Sequence, residues 1–124
     1  MSGAPIFWSS KKQPIIAQSS CEAEYIALAQ VSKDVRWIKN VLCDLGHVIT
    51  SPISVLEDNT SAIAVAHQTA SMGRSRHFEV RFHCVREAIN HNLIQLQWIP
   101  TKCQLADILT KPLCGVSFTS IVCV

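Results

Sequence analysis

The chain has 124 residues, a formal net charge of +2, and 48% hydrophobic against 16% charged residues. This length suits one domain with one core, and this composition excludes a disordered chain. No apolar run approaches the ~18 residues of a membrane helix, and the first residues lack the features of a secretory signal. We therefore expect an intracellular protein, cytoplasmic or nuclear, that is neither secreted nor membrane-bound.

The chain contains six cysteines, and none of them forms a Cys-x-x-Cys pair. In an intracellular protein, cysteines with this spacing are typical of small buried side chains. We therefore expect neither disulfides nor a zinc site.

The first half of the chain predicts two short strands and one long helix. The strands cover residues 6–8 and 15–18, and the helix covers about 21–45. Ser19 and Glu22 form a capping box at its start, and Gly46 ends it. Its predicted buried stripe follows a spacing near 3.6 and contains Ala23, Ile26, Ala27, Gln30, Trp37, Ile38, Val41, Leu42 and Leu45.

The second half predicts strands at 53–57 and 93–99, with helices at 62–69 and 77–91 between them. A second capping box, Thr101 with Gln104, predicts a final helix that carries Asp107. The order β-β-α-β-α-α-β-α favours an α/β or α+β sandwich with helices packed on a sheet. Residues 114–124 are apolar and uncharged, and they are predicted as an extra strand or an unstructured tail.

Three acidic residues, Glu24, Asp58 and Asp107, stand beside apolar sequence at helix starts or a strand end. Such carboxylates are costly at the edge of a core unless they are paired or bind a cation. If they converge, a divalent metal such as magnesium or manganese would relieve their repulsion. Alternatively, Asp58 is a turn or cap residue, Asp107 complements a helix dipole, and Glu24 is solvated.

A basic segment lies between residues 74 and 86. It has two interpretations, a solvated helix face or a patch that contacts phosphates. Its members are Arg74, Arg76, His77, Arg81, His83 and Arg86.

Six motifs occur in order and with characteristic spacing. They cover residues 8–14, 19–28, 57–63, 75–83, 98–101 and 104–113. Together they resemble the ribonuclease H domain of copia-type retrotransposon Pol polyproteins, from about Pro5 to Leu113. The resemblance implies a ribonuclease H-like fold, with a mixed sheet flanked by helices.

The resemblance also implies an active site in which four carboxylates hold two magnesium ions, or manganese in their place. Glu24, Asp58 and Asp107 match three of the four, whereas Glu22 is assigned to the helix cap. Glu57 stands where the family usually has cysteine. The implied chemistry is metal-assisted hydrolysis of the RNA strand in an RNA–DNA hybrid, with phosphates contacted by Arg74, Arg76 and His77.

The family's first catalytic aspartate lies on an opening central strand that this sequence does not contain. We therefore expect residues 1–113 to be a partial ribonuclease H-like domain and 114–124 an unmatched tail. The first hypothesis is a hydrolase domain that works with a reverse transcriptase domain or a complementing N-terminal strand. The second, expected for the isolated chain, is an inactive remnant that at most binds nucleic acid or a partner.

Overall fold

The computed structural model describes residues 7–14, 16–67 and 76–110, and only the backbone of residues 76–82. The chain divides into two compact units. One contains Met1–Ile16 with Pro100–Val124, and the other contains Ala17–Ile99. The predicted boundary between residues 113 and 114 lies outside the described residues.

The larger unit contains helix α1 (Ser20–Asp44), strand β1 (Ile53–Glu57), helix α2 (Thr60–Ala66), helix α3 (Arg76–Asn90) and strand β2 (Ile94–Trp98). This order confirms the predicted succession α-β-α-α-β, and α1 lies within one residue of its predicted bounds at each end. The predicted class, helices packed on a sheet, is thus confirmed as mixed α/β. The narrower ribonuclease H-like fold stays a prediction.

The two strands form a parallel ladder, in register from Ile53 opposite Ile94 to Glu57 opposite Trp98. Within the described part of the chain this is the whole sheet, so its order is parallel rather than mixed. Side chains alternate between the two faces of a strand. Val55 of β1 and Leu96, its partner on β2, lie on the face that packs against the helices, whereas Leu56 points to the exposed face.

Both ends of α1 are closed by local hydrogen bonds. The Ser19 hydroxyl accepts a bond from the backbone N–H of Glu22 (3.1 Å), and the Glu22 carboxylate accepts one from the N–H of Gln18. The predicted cap is thus confirmed, although Glu22 reaches one residue beyond the cap. Gly46, with φ +83°, ends the helix as predicted, and its N–H donates to Cys43 while that of His47 donates to Leu42.

The core joins the first half of α1 to the other two helices. Tyr25 is fully buried there, and burial raises the pKa of its phenol to about 12. A second small cluster lies at the start of β2. The core residues are Tyr25, Leu28, Ala29, Val65, Ala66 and Val85 in the first cluster and Ala88, Leu93 and Ile94 in the second.

The predicted buried stripe of α1 is wrong over most of its length. Trp37, Val41 and Leu45 are exposed by 64%, 36% and 69%. Of the predicted stripe only Ile26 is buried, and no residue of α1 beyond Ser32 is buried. The reason is that the two core clusters contact α1 only as far as Val35, so apolar spacing in the last turns of the helix has no core to face.

The described residues of the smaller unit differ from the prediction. Residues 7–8 form no strand, and neither do residues 16–18, of which 17 and 18 belong to the larger unit; Ile6 and Ile15 lie outside the described part. Instead of one capped helix there are two short 3₁₀ helices, Thr101–Cys103 and Leu105–Leu109. Neither has a side-chain cap, and the extended backbone of Gln104 separates the two helices. The Ser10 hydroxyl donates to the Leu109 carbonyl (3.0 Å).

Among the described helices, none combines the length and apolar character that crossing a membrane requires.

Leu28 of α1 and Leu45, the residue that follows the helix, distinguish the observed core from the predicted stripe. Leu28→Ala should lower the free energy of unfolding by about 2–4 kcal/mol, because it leaves a cavity in a closed core. Leu45→Ala should change it by less than about 0.5 kcal/mol, because that side chain is mostly solvated. Urea unfolding at low protein concentration measures both, and the opposite ranking would contradict the packing described.

Candidate metal centre

Three carboxylates converge where β1 ends. One oxygen from each of Glu24, Glu57 and Asp58 lies within 4.8 Å of the other two. Glu24 projects from the second turn of α1, Glu57 is the last residue of β1, and Asp58 follows it. The structure thus brings together two of the acidic residues singled out by sequence, Glu24 and Asp58, and adds Glu57.

Glu57 is the buried member of this cluster. Burial raises the pKa of its carboxyl group, the hydrogen bond from the backbone N–H of Asn59 (3.0 Å) opposes that rise, and the charges of Glu24 and Asp58 add to it. The proton on Glu57 is therefore held more tightly than on a solvated glutamate. Sequence reasoning noted Glu57 only as a replacement for cysteine. Because side chains alternate along a strand, Glu57, two residues after Val55, lies on the same core-facing side of β1.

The negative charges of nearby glutamates also affect the thiol of Cys21. Cys21 is half-buried on the first turn of α1, and burial raises the pKa of its thiol, with further contributions from Glu57 and Glu22. This thiol is therefore held in its neutral form, as expected for a structural cysteine beside a group of carboxylates.

Local hydrogen bonds fix the backbone that carries Asp58. The side chain of Asn59 accepts bonds from the N–H groups of Ser61 (3.0 Å) and Ala62 (3.1 Å), so Asn59, and not Asp58, caps α2. The indole N–H of Trp98 donates to the carbonyl of Asp58 (3.2 Å). Asp58 is thus anchored through its main chain, while its carboxylate belongs to the cluster.

The donor set of the cluster suits a hard divalent cation. It consists only of carboxylate oxygens, the ligands that magnesium and manganese prefer. Three such groups within 4.8 Å repel one another, and a divalent cation would lower this repulsion. The chemistry of the residues present therefore fits such an ion.

The other predicted site residues are placed differently. Asp107 lies on the second 3₁₀ helix, in the smaller unit, and its membership of the site stays a prediction. Arg74 lies outside the described residues. Arg76 and His77 begin α3 with only their backbone described, so the predicted phosphate contacts also stay predictions.

Comparison with known proteins gives relatives over most of the chain. The retrovirus-related Pol polyprotein from transposon RE1 of Arabidopsis thaliana is 36% identical over 114 residues, which are 92% of this chain and 8% of that polyprotein. The one from transposon TNT 1-94 of Nicotiana tabacum is 36% identical over 110 residues, 89% of this chain and 8% of its own length. The homologues of this chain are retrovirus-related Pol polyproteins of copia-type transposons.

The similarity extends to yeast. The truncated transposon Ty1-A Gag-Pol polyprotein of Saccharomyces cerevisiae is 28% identical over 116 residues, 91% of this chain and 9% of that protein. Kinship with copia-type Pol polyproteins, expected from the motifs, is thus confirmed at the level of the polyprotein. The chain spans only 8% of the length of the first relatives, so their names do not say what this segment does. No protein-family model and no solved structure matches the chain.

The raised pKa of Glu57 predicts a pH dependence of stability in metal-free buffer. A carboxyl group whose folded-state pKa is raised stabilises the fold fully below its ordinary pKa, and this contribution is lost as pH rises through the raised value. The free energy of unfolding should therefore fall across that window, and Glu57→Gln should flatten the fall. Urea unfolding at a series of pH values measures it, with the exposed Glu87→Gln as a control that should keep the wild-type slope.

Proposed function

We propose that this chain is a retrotransposon-derived segment of a ribonuclease H-like domain, in which Glu24, Asp58 and Asp107 hold magnesium or manganese. The proposed reaction is hydrolysis of the RNA strand in RNA–DNA hybrids. The observation that carries the proposal is the convergence of Glu24 and Asp58, from separate elements, beside a buried carboxyl group. The ordered motifs and the Pol polyprotein homologues support it.

The protein's contribution to this chemistry is to position the carboxylates that would bind the metal. When bound, the metal would activate water and stabilise the leaving oxygen. Glu24 is positioned by the capped start of α1, and Asp58 by the bonds of Trp98 and Asn59 around its main chain. These supports fix the main-chain positions from which the two carboxylates extend, which is one part of what a preorganised site requires.

A second candidate function is non-catalytic binding of nucleic acid or of a protein partner. The observation that favours it is Glu57, a buried carboxyl group where the family usually has cysteine. An additional acidic group changes the charge of the site, and two-metal catalysis depends on both charge and geometry. The two candidates differ in turnover, and they share the nucleic acid only if the second function is nucleic-acid binding rather than binding of a protein partner.

Cation binding tests the site that both candidates share. Titration of the full chain with manganese, followed by calorimetry, should show saturable binding. Glu24→Gln and Asp58→Asn should each weaken it by about tenfold or more, because each removes one charge from a group of three. Asp34→Asn, on the same helix as Glu24 but outside the cluster, should leave it unchanged. Absence of binding by the folded wild type would refute the site.

Turnover and salt dependence then separate the candidates. Cleavage of a labelled hybrid in magnesium, lost in Asp58→Asn, would support the hydrolase. Binding of the hybrid without cleavage would support the second function. In either case the affinity should fall steeply with added salt if arginines contact phosphates, and a salt-independent affinity would contradict the roles of Arg74, Arg76 and His77. A folded chain that neither binds nor cleaves the hybrid would refute the hydrolase and the nucleic-acid form of the second function.

A further inference from the structure

The indole ring of Trp98 lies exposed beside the carboxylate cluster. Trp98 is the last residue of β2, and in the ladder it stands opposite Glu57, the buried member of the cluster. Adjacent strands lie about 4.8 Å apart, so this residue is an immediate neighbour of the cluster within the sheet. More than half of its side chain, 56%, is nevertheless in contact with water.

Two hydrogen bonds fix this tryptophan in position. Its indole N–H donates to the Asp58 carbonyl (3.2 Å), and the backbone N–H of Ile99 donates to the Glu57 carbonyl (3.1 Å). The polar atom of the indole is therefore bonded within the protein, and the exposed part of the ring presents an apolar aromatic surface. A ring held in this way loses little conformational entropy when it packs against a ligand.

The bond to Asp58 does not by itself account for an exposed aromatic ring. A small polar side chain could donate to the same carbonyl without leaving apolar surface in water. Tryptophans that combine an anchored N–H with an exposed ring are typical of recognition surfaces. The position of Trp98 therefore indicates that the ring contacts a ligand of the cluster.

The place of the ring also indicates which part of a nucleic acid it would meet. Under the proposed function, a phosphate of the hybrid approaches a cation held by Glu24 and Asp58. The groups next to a phosphate are sugars, since the base faces of a duplex are already stacked on one another. An A-form minor groove is wide and shallow and displays its riboses, whereas that of B-form DNA is only about 6 Å wide. An indole thus reaches a sugar face in an A-like hybrid more readily than in a DNA duplex.

We propose that Trp98 packs its exposed ring against the sugar of the nucleotide whose phosphate approaches the cluster, and so favours hybrids over DNA duplexes. The inference rests on the proposed function, in its hydrolase or its nucleic-acid-binding form, because it takes the hybrid as the ligand. Trp98 is a positioning residue in this arrangement, since its ring neither transfers a proton nor binds the metal.

Acrylamide quenching tests the contact while residue 98 is left intact. Trp8→Phe with Trp37→Phe leaves Trp98 as the single tryptophan. Acrylamide should quench its fluorescence readily in the free protein, and a bound hybrid should lower the quenching constant about twofold or more because it covers the exposed ring. Trp8→Phe with Trp98→Phe retains only Trp37, an equally exposed tryptophan about 20 Å along α1 from Glu24. Its quenching should not change.

Substitution then separates packing by the ring from contacts with phosphates. Trp98→Leu should weaken hybrid binding about tenfold, by the same factor at low and at high salt, because no phosphate contact is lost. Its affinity for a DNA duplex of the same sequence should change little. Trp98→Phe keeps an aromatic ring without the N–H and should retain most of the hybrid affinity. Trp37→Leu is the matched control and should bind like the wild type.

The failure of this inference and the failure of the proposed function give different results. A folded wild type that binds no hybrid would overturn both. Binding that leaves Trp98 as accessible to acrylamide as in the free protein would overturn the inference alone. The same holds for an equal loss in Trp98→Phe and Trp98→Leu, which would show that the indole only holds Asp58, and for an equal loss with the DNA duplex. Far-UV circular dichroism checks that each variant keeps its helices.

Discussion

The parallel register of β1 and β2 is the constraint on which the larger unit depends. Parallel strands run in the same direction, so β1 and β2 both end at the same edge of the sheet. With Glu57 opposite Trp98, the residue after β1 comes within reach of the indole at the end of β2. A shift of one residue would turn Glu57 away from the core and separate Trp98 from the Asp58 carbonyl. The carboxylate cluster therefore depends on how β1 is held, by its pairing with β2 and by the packing of Val55 against the core residues of α1, and not on the acidic residues alone.

The three carboxylates of the cluster, Glu24, Glu57 and Asp58, repel one another and so destabilise this end of the unit. A buried carboxyl group beside two others is tolerated because α1 and β1 are each stabilised by bonds that do not involve the cluster. Helix α1 is stabilised by the cap at Ser19 and by the buried hydroxyl of Ser32, and β1 is stabilised by its ladder with β2. These bonds hold the two elements in place although Glu24 and Glu57 face one another. Such opposition between a stable scaffold and a destabilised edge is frequent at functional sites.

Local sequence signals predicted those features that local interactions decide. The Ser19 cap, the stop at Gly46 and the limits of β1 each depend on a few neighbouring residues, and all were predictable. The burial of α1 was not, because it depends on how far along the helix the rest of the core extends, which no periodicity records. The Thr101–Gln104 pair has capping-box spacing, yet the backbone turns extended at Gln104, so a continuous helix does not form.

The site was predictable in part for the same reason. Motif order singled out Glu24 and Asp58, but Glu57 acquires its role from the face of β1 on which it stands. Recognising it required the strand's register as well as its sequence. A glutamate at a core-facing position in a strand is a signal that could have drawn attention to it.

The connection between the two strands also has a consequence for the cost of folding. Ile53 pairs with Ile94 across a connection that contains α2 and α3. Closing such a long loop costs entropy before any ladder bond is made, and packing of the two helices offsets part of that cost. The cluster of Glu24, Glu57 and Asp58 exists only when α1 and β1 are both in place. A cation that binds only this cluster would therefore stabilise the folded state by mass action.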